Sequence, residues 1–221
     1  ITFDGDVTMI GNYAFINCES LTSVTIPGSV TSIGQQAFYS CSSLACVTIP
    51  ESVTSISTIL VFSGCSQLTA FYGKFASADN RCLVVDGVLN SFAPAGLTEY
   101  TIPDDVTSIG SYAFFKCSSL TNVTIPNSVT SIGMYAFYYC KRLTSVTIPE
   151  SITSIGNQAF NGCSSLASVY CKPTTPPIGG DGMFDFNASG RKIYVPTASV
   201  DAYKSAEYWS DYADYIEGYD F

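Results

Sequence analysis

The stretch 120–140, LTNVTIPNSVTSIGMYAFYYC, returns almost residue for residue 23 positions later. Leu120, Val123, Ile125, Pro126, Val129, Ile132, Gly133, Ala136, Phe137 and Cys140 become Leu143, Val146, Ile148, Pro149, Ile152, Ile155, Gly156, Ala159, Phe160 and Cys163. A fixed period in the twenties confines a chain to a solenoid, because a unit this small buries its apolar edge only against its neighbours. At 221 residues the chain has enough length for one elongated domain or two compact ones. The period favours a single array.

Each repeat carries its own structural instructions. Val123-Thr124-Ile125 alternates apolar and polar, as a half-buried strand does. Pro126 ends it, since a missing N–H cannot continue the ladder. Val129 and Ile132 point inward from a second extended stretch, and Gly133 is expected to turn the chain through positive φ. Ala136, Phe137 and Cys140, spaced by three and four, suggest one helical or 3₁₀ turn before Leu143 opens the next strand. The LxxLxL-like opening points to a leucine-rich repeat solenoid with its strands parallel and in register.

The Ile125 position counts the rungs: Phe3, Ile26, Ile49, Gly73, Ile102, Ile125, Ile148, Cys171 and Val195, with steps of 23, 23, 24, 29, 23, 23, 23 and 24. Nine rungs follow, the first of them cut into by the start of the sequence, as expected of a trimmed piece of a longer protein. The array occupies 1–196. In the third repeat Ser57 replaces the glycine, and one extra residue precedes Phe62. Residues 74–98 replace the usual return, and inside them Leu83 to Phe92 places two apolar runs around Asp86-Gly87, a hairpin signal. A β-hairpin is expected to protrude there. In the last repeat Ile178-Gly179 is matched to Ile155-Gly156, Met183-Phe184 replaces Ala-Phe after one insertion, and Asn187 stands where cysteine would be. Residues 197–221 break the pattern and read as a C-terminal cap, with Thr197 and Ser210 as N-caps. Val200, Tyr203, Trp209, Tyr212 and Ile216 would then face the open end.

Nine cysteines suggest disulfides, but Cys18, Cys41, Cys65, Cys117, Cys140 and Cys163 share one repeat position. Their side chains point the same way rather than at each other, so they read as a buried, reduced ladder. Cys171 takes a core position. Cys46 and Cys82 lie outside the ladder and are expected to be the accessible thiols; the pattern leaves open whether Cys46, Cys82 or Cys171 joins a disulfide.

The formal charge of −9 disfavours nucleic acid. No apolar run approaches the roughly 18–20 residues that span a bilayer. Histidine is absent, which removes Ser-His and Cys-His nucleophiles, and without CxxC motifs zinc is disfavoured. No cofactor is called for. Asp104-Asp105 and the pair Asp181 and Asp185 read as turn chemistry rather than acid–base or calcium sites. An enzyme is therefore not expected.

The LTSVTIP…SVTSIG…AF..C..L repeat at 21–44 and 120–166 resembles the BspA-like leucine-rich repeat proteins. RCLVVDGVLNSFAPAG and the closing IYVPTASVDAYKSAEYWSDYADYI resemble the same family. The resemblance implies a bacterial cell-surface or secreted protein, with adhesion to host or neighbouring-cell proteins, and it offers no catalytic residues. The glycosylation sequons at Asn122 and Asn187 then read as accidental.

Binding residues are sought on the outward strand positions. One column runs Thr2, Thr25, Thr48, Tyr72, Thr101, Thr124, Thr147, Tyr170 and Tyr194; its neighbour runs Ser23, Cys46, Ala70, Glu99, Asn122, Ser145, Ser168 and Lys192. Threonine there fits exposed β structure. Tyr72, Tyr170, Lys192 and Tyr194 depart from that background, and exposed tyrosine offers contact area at small entropic cost. They are the candidate ligand-binding residues of a concave sheet, for an extracellular protein or glycan. A structural spacer that displays another domain is the alternative.

Overall fold

The computed structural model describes residues 7–221; the rung expected at Ile1–Phe3 lies outside them. The chain divides into two units, one holding residues up to 96 with 110–114, the other 97–109 with 115–221.

The first unit contains β1 (Met9–Ile10), β2 (Ser23–Thr25), β3 (Ser32–Ile33), β4 (Cys46–Ile49), β5 (Ser55–Ile56), β6 (Ala70–Gly73), β7 (Cys82–Val85) and β8 (Val88–Phe92). β2, β4 and β6 pair in parallel with Val24 opposite Val47 and Val47 opposite Phe71. β1, β3 and β5 make a second, shorter parallel sheet, with Ile10 opposite Ile33 and Ile33 opposite Ile56. The second unit repeats the scheme. β9 (Glu99–Thr101) pairs with β11 (Asn122–Thr124), and β10 (Ser108–Ile109), β12 (Ser131–Ile132) and β14 (Ser154–Ile155) form the short sheet. β13 (Ser145–Ile148), β15 (Ser168–Cys171), β16 (Lys192–Pro196) and β17 (Ile216–Tyr219) follow one another in parallel. This is the leucine-rich repeat solenoid that the period demands.

The apolar skeleton forms the core. Val123, Ile125, Val129, Ile132, Ala136, Phe137, Cys140 and Leu143 are all buried. The phenylalanines stack from rung to rung: Phe15 on Phe38 and Phe38 on Phe62 in the first unit, Phe137 on Phe160 and Phe160 on Phe184 in the second, with ring centroids 4.9–5.5 Å apart. Threonines fasten the rungs from outside. Thr54 Oγ1 donates to Thr31 O, and Thr153 Oγ1 to Thr130 O, which explains why the same hydroxyl recurs in each repeat.

Several local expectations need correction. The turn after the second strand does contain 3₁₀-type bonds, with Ala136 N–H on Gly133 O and Cys140 N–H on Phe137 O, but it is no helix. Tyr135 and Tyr139 interrupt it with φ of 56° and 58°, as do Gln36 and Ser40, or Tyr112 and Lys116, in other repeats. Side-chain-bearing residues seldom adopt that conformation. Here it accompanies alternation: Tyr135, Phe137 and Tyr139 donate forward to Asn157, Ala159 and Asn161, while the residues between them close the turn. The left-handed residues are therefore these, and Gly34, Gly110, Gly133 and Gly156 are not among them. Glycine serves close approach instead. A Cβ on Gly156 would stand 2.5 Å from Met134 N and 2.7 Å from Gly133 C.

The hairpin forms as β7 and β8, antiparallel about Asp86 and Gly87, whose φ of 50° and 78° make the type I′ turn. It does not stand out from its unit. Leu83, Leu89 and Phe92 are buried, and Leu89 O accepts from Gly110 N–H as Ile109 O does from Gly133 N–H. β8 thus occupies the second-strand position of its rung.

The last repeat is in a different register from the sequence match. Ile178 bridges Ser154, so Gly180 rather than Gly179 stands over Gly156, and Ile178 is 77% exposed. The extra residue therefore sits before Ile178, and Met183 follows Gly180 as Ala159 follows Gly156. Beyond Pro196 come a 3₁₀ turn (Thr197–Ser199), α1 (Val200–Ser205), a second 3₁₀ segment (Ser210–Tyr215) and β17. Tyr203, Trp209, Tyr212 and Ile216 are buried, and Val200 half-buried. Neither Thr197 nor Ser210 is an N-cap; those positions fall to Pro196 and Trp209, and no side chain caps either helix end. Thr197 Oγ1 instead donates to Asp220, because β17 draws residue 220 alongside it.

Candidate functional site

The outward face of the long strands carries the expected background. Thr25, Thr48, Thr101, Thr124 and Thr147 are exposed. In the neighbouring column Ala70 is the exception, buried where an outward side chain was expected. Tyr72, opposite Thr48, is 44% exposed and belongs to the first unit. The other three candidates belong to the second unit and come together there.

Parallel pairing places Tyr170 beside Tyr194 on the same face of β15 and β16. Their rings stack at 5.0 Å with an angle of 18°. Tyr219, from β17, closes on both: 5.7 Å and edge-on to Tyr170, 5.5 Å and tilted to Tyr194. Phe221 lies 5.0 Å from Tyr219. Lys192 forms an ion pair with Glu217 on the neighbouring strand, and that hydrogen bond, followed by the charge attraction, raises the pKa of its ammonium. The arrangement is a four-ring aromatic surface with a paired cation and carboxylate beside it. It offers stacking area and hydrogen bonding but no activated nucleophile.

Glu217, Tyr219 and Phe221 were missed from sequence, and the signal was the period itself: Ile216 follows Ile193 by 23 residues and pairs with it. β17, one further strand of this sheet, was hidden because it lacks the Val-Thr-Ile-Pro motif.

The titratable groups considered for chemistry take structural places. Asp104 and Asp105 are exposed in a turn. Tyr212 Oη donates to Asp185 Oδ1 at 3.0 Å and itself accepts from Phe184 N–H at 3.2 Å. Among the described residues no cluster of three His, Cys, Asp or Glu is placed to hold a metal ion. Nor is any described helix long and apolar enough to cross a membrane.

Among the described residues no disulfide forms, and the cysteines are mostly interior. Cys41 Sγ donates to Phe15 O, Cys65 Sγ to Phe38 O, and Cys163 Sγ to Phe137 O, at 3.1–3.2 Å. Asn187 keeps this bond with an amide, donating to Phe160 O at 2.8 Å. Burial pushes Cys41 up to about 11 and Cys65 to about 12, and holds Cys140 well above the usual thiol range. Cys82, expected to be accessible, is fully buried at the start of β7, whereas Cys18 is half-buried like Cys46. Thiol labelling of native protein at neutral pH is therefore expected to modify Cys46 and Cys18 and spare the other seven, read by peptide mass mapping. Labelling of Cys140 or Cys82 as fast as Cys46 would contradict this packing.

A family model for the BspA type leucine rich repeat region matches the chain in six copies, over residues 1–78 and 89–207. Among solved structures, a leucine rich cell surface protein from Faecalibacterium prausnitzii A2-165 is 26% identical, with a TM-score of 0.62 over 86% of this chain and 57% of that one. A leucine-rich repeat protein from Eubacterium ventriosum ATCC 27560 is 24% identical, with a TM-score of 0.54 over 87% and 65%. The pneumococcal vaccine antigen PcpA is 18% identical, with a TM-score of 0.53 over 96% and 69%. The last two are likenesses of fold. The chain spans less than two thirds of the length of the first two structures. No curated protein matches the sequence.

Proposed function

Because the chain belongs to the BspA type leucine-rich repeat family, we propose that it is a non-catalytic binding module of a bacterial cell-surface or secreted protein. Its partner is an extracellular protein or glycan, held on the outward face of the long strands, and its role is adhesion. The observation that carries this reading is the cluster of Tyr170, Tyr194 and Tyr219 beside Lys192. The regular rungs present Ser, Thr and Asn, whose separate contacts are weak and interchangeable. Binding energy concentrates instead in a few aromatic and cationic anchors. Tyr72 supplies a separate aromatic anchor in the first unit. The likeness to a leucine rich cell surface protein supports the location.

The partner is sought by probing a glycan array and a panel of extracellular matrix proteins. The double variant Tyr170→Ala/Tyr194→Ala is then expected to weaken binding by about tenfold or more. Circular dichroism should stay unchanged, since both rings stand outside the buried skeleton. Unchanged affinity would return the aromatic cluster to a packing role, with Tyr219 as its lid, and favour a spacer that displays another domain.

A further inference from the structure

A second aromatic surface lies on the turns of the second unit. Phe115 stacks on Tyr138 at 5.5 Å and 7°, Tyr135 meets Tyr138 edge-on at 5.2 Å, and Tyr139 lies 4.5 Å from Tyr138. Cations sit on the ring faces: Lys116 Nζ is 5.1 Å from the Phe115 centroid, and Lys141 Nζ 5.4 Å from that of Tyr139. Arg142 is exposed beside them in the chain. Tyr139 lies against the next turn at Gly162, where a Cβ would come within 2.7 Å of its ring.

The fold does not require these residues. Lys141-Arg142 stands where other repeats have Ser42-Ser43, Ser118-Ser119 or Ser164-Ser165. Lys116 and Tyr139 occupy the left-handed position that Asn17, Ser40 and Gly162 fill elsewhere. Between Val106 and Pro149 there is no Asp or Glu, although the whole chain carries −9. A local cationic ledge on an acidic protein points to an anionic partner, because the overall field repels polyanions and only the ledge attracts them.

We infer that this ledge binds an acidic polysaccharide, its carboxylates paired with Lys116, Lys141 and Arg142 and its hydroxyls bonded to the tyrosine rim. The backbone favours a glycan over an acidic peptide. The amides of Tyr135, Phe137, Tyr138 and Tyr139 already donate within the turn or to the next rung, so an added peptide strand finds no ladder to join. A polymer that brings its own hydroxyls needs only the side chains. Each ammonium rests on a ring and keeps donors free for a carboxylate.

Calorimetry on the intact chain, with a galacturonate oligosaccharide as probe and a neutral galactose oligosaccharide and a poly-glutamate peptide as comparisons, tests this. The galacturonate is expected to bind and to weaken with salt, while the neutral sugar does not bind. Lys116→Ser/Lys141→Ser/Arg142→Ser restores residue types used by sister repeats and should reduce affinity by about tenfold or more. Tyr139→Gly, which copies Gly162, should reduce it with every charge retained. Tyr170→Ala/Tyr194→Ala should leave this binding intact. No binding of galacturonate, affinity unmoved by both ledge variants, or tighter binding of poly-glutamate would overturn the assignment.

Discussion

Gly156→Val is expected to lower the stability of the protein by several kcal/mol, about 3 or more, with a drop of roughly 10 °C in melting temperature. The cause is not backbone strain at the glycine, whose φ is ordinary. Successive rungs approach so closely at this column that a Cβ meets Met134 N at 2.5 Å and Met134 Cα at 2.9 Å. Both atoms are backbone and cannot swing aside. Either the rungs separate, with loss of the Gly156 N–H bond to Ile132 O, or the turn moves and the short sheet slips. Gly28→Ala is the control. Nothing lies within 4 Å of its added Cβ, so a change within about 0.5 kcal/mol is expected. Thermal melts followed by circular dichroism read both. A Gly156→Val protein that melts with the parent would mean that the rungs have room to spare.

Trp209→Ala is expected to cost about 3–5 kcal/mol. Trp209 is fully buried, packs 4.8 Å from Tyr203 and 5.8 Å from Phe184, and donates Nε1–H to Pro177 O at 2.7 Å. Phe184 is the last ring of its phenylalanine column, so the indole and Tyr212 cover a face that the rungs leave open. Truncation leaves a cavity there and strips the Pro177 carbonyl of its donor. Urea denaturation measures the loss. It is the chain's single tryptophan, so its fluorescence in the parent protein follows the C-terminal segment specifically. A stability loss below about 1 kcal/mol would show that residues 197–221 contribute little to holding the last rungs.

The period of 23 made the core legible because each buried position recurs with its residue type. Val123, Ile125, Phe137 and Cys140 needed no structure to be placed inside. The failures have physical causes. Ile178 looks like a core isoleucine, but register is set by the bridge to Ser154, and that leaves the side chain in solvent. Asp86-Gly87 announced a hairpin, yet turn chemistry is local and does not tell which layer the strands join. The left-handed turn residues were invisible, since Tyr135, Gln36 and Lys116 have nothing in common except the direction in which their N–H groups must point. Of the candidate site, Tyr170 and Tyr194 were legible as departures from a threonine column, and Lys192 as a departure from the serine-rich column beside it. Tyr219 was not, because β17 keeps the period while abandoning the motif.

The forward-pointing amides of the turns have a genetic consequence. Tyr135, Phe137 and Tyr139 hand their protons to the following rung, and Lys116 hands its own to Tyr138 in the same direction. These turns are therefore the same joint, with amide donors on one rung and carbonyls on the next. Unequal crossing-over between two copies in phase adds or removes 23 residues and leaves identical joints behind, whereas a slip of one residue breaks them. Chain length can therefore change by whole copies while the joints between them stay the same.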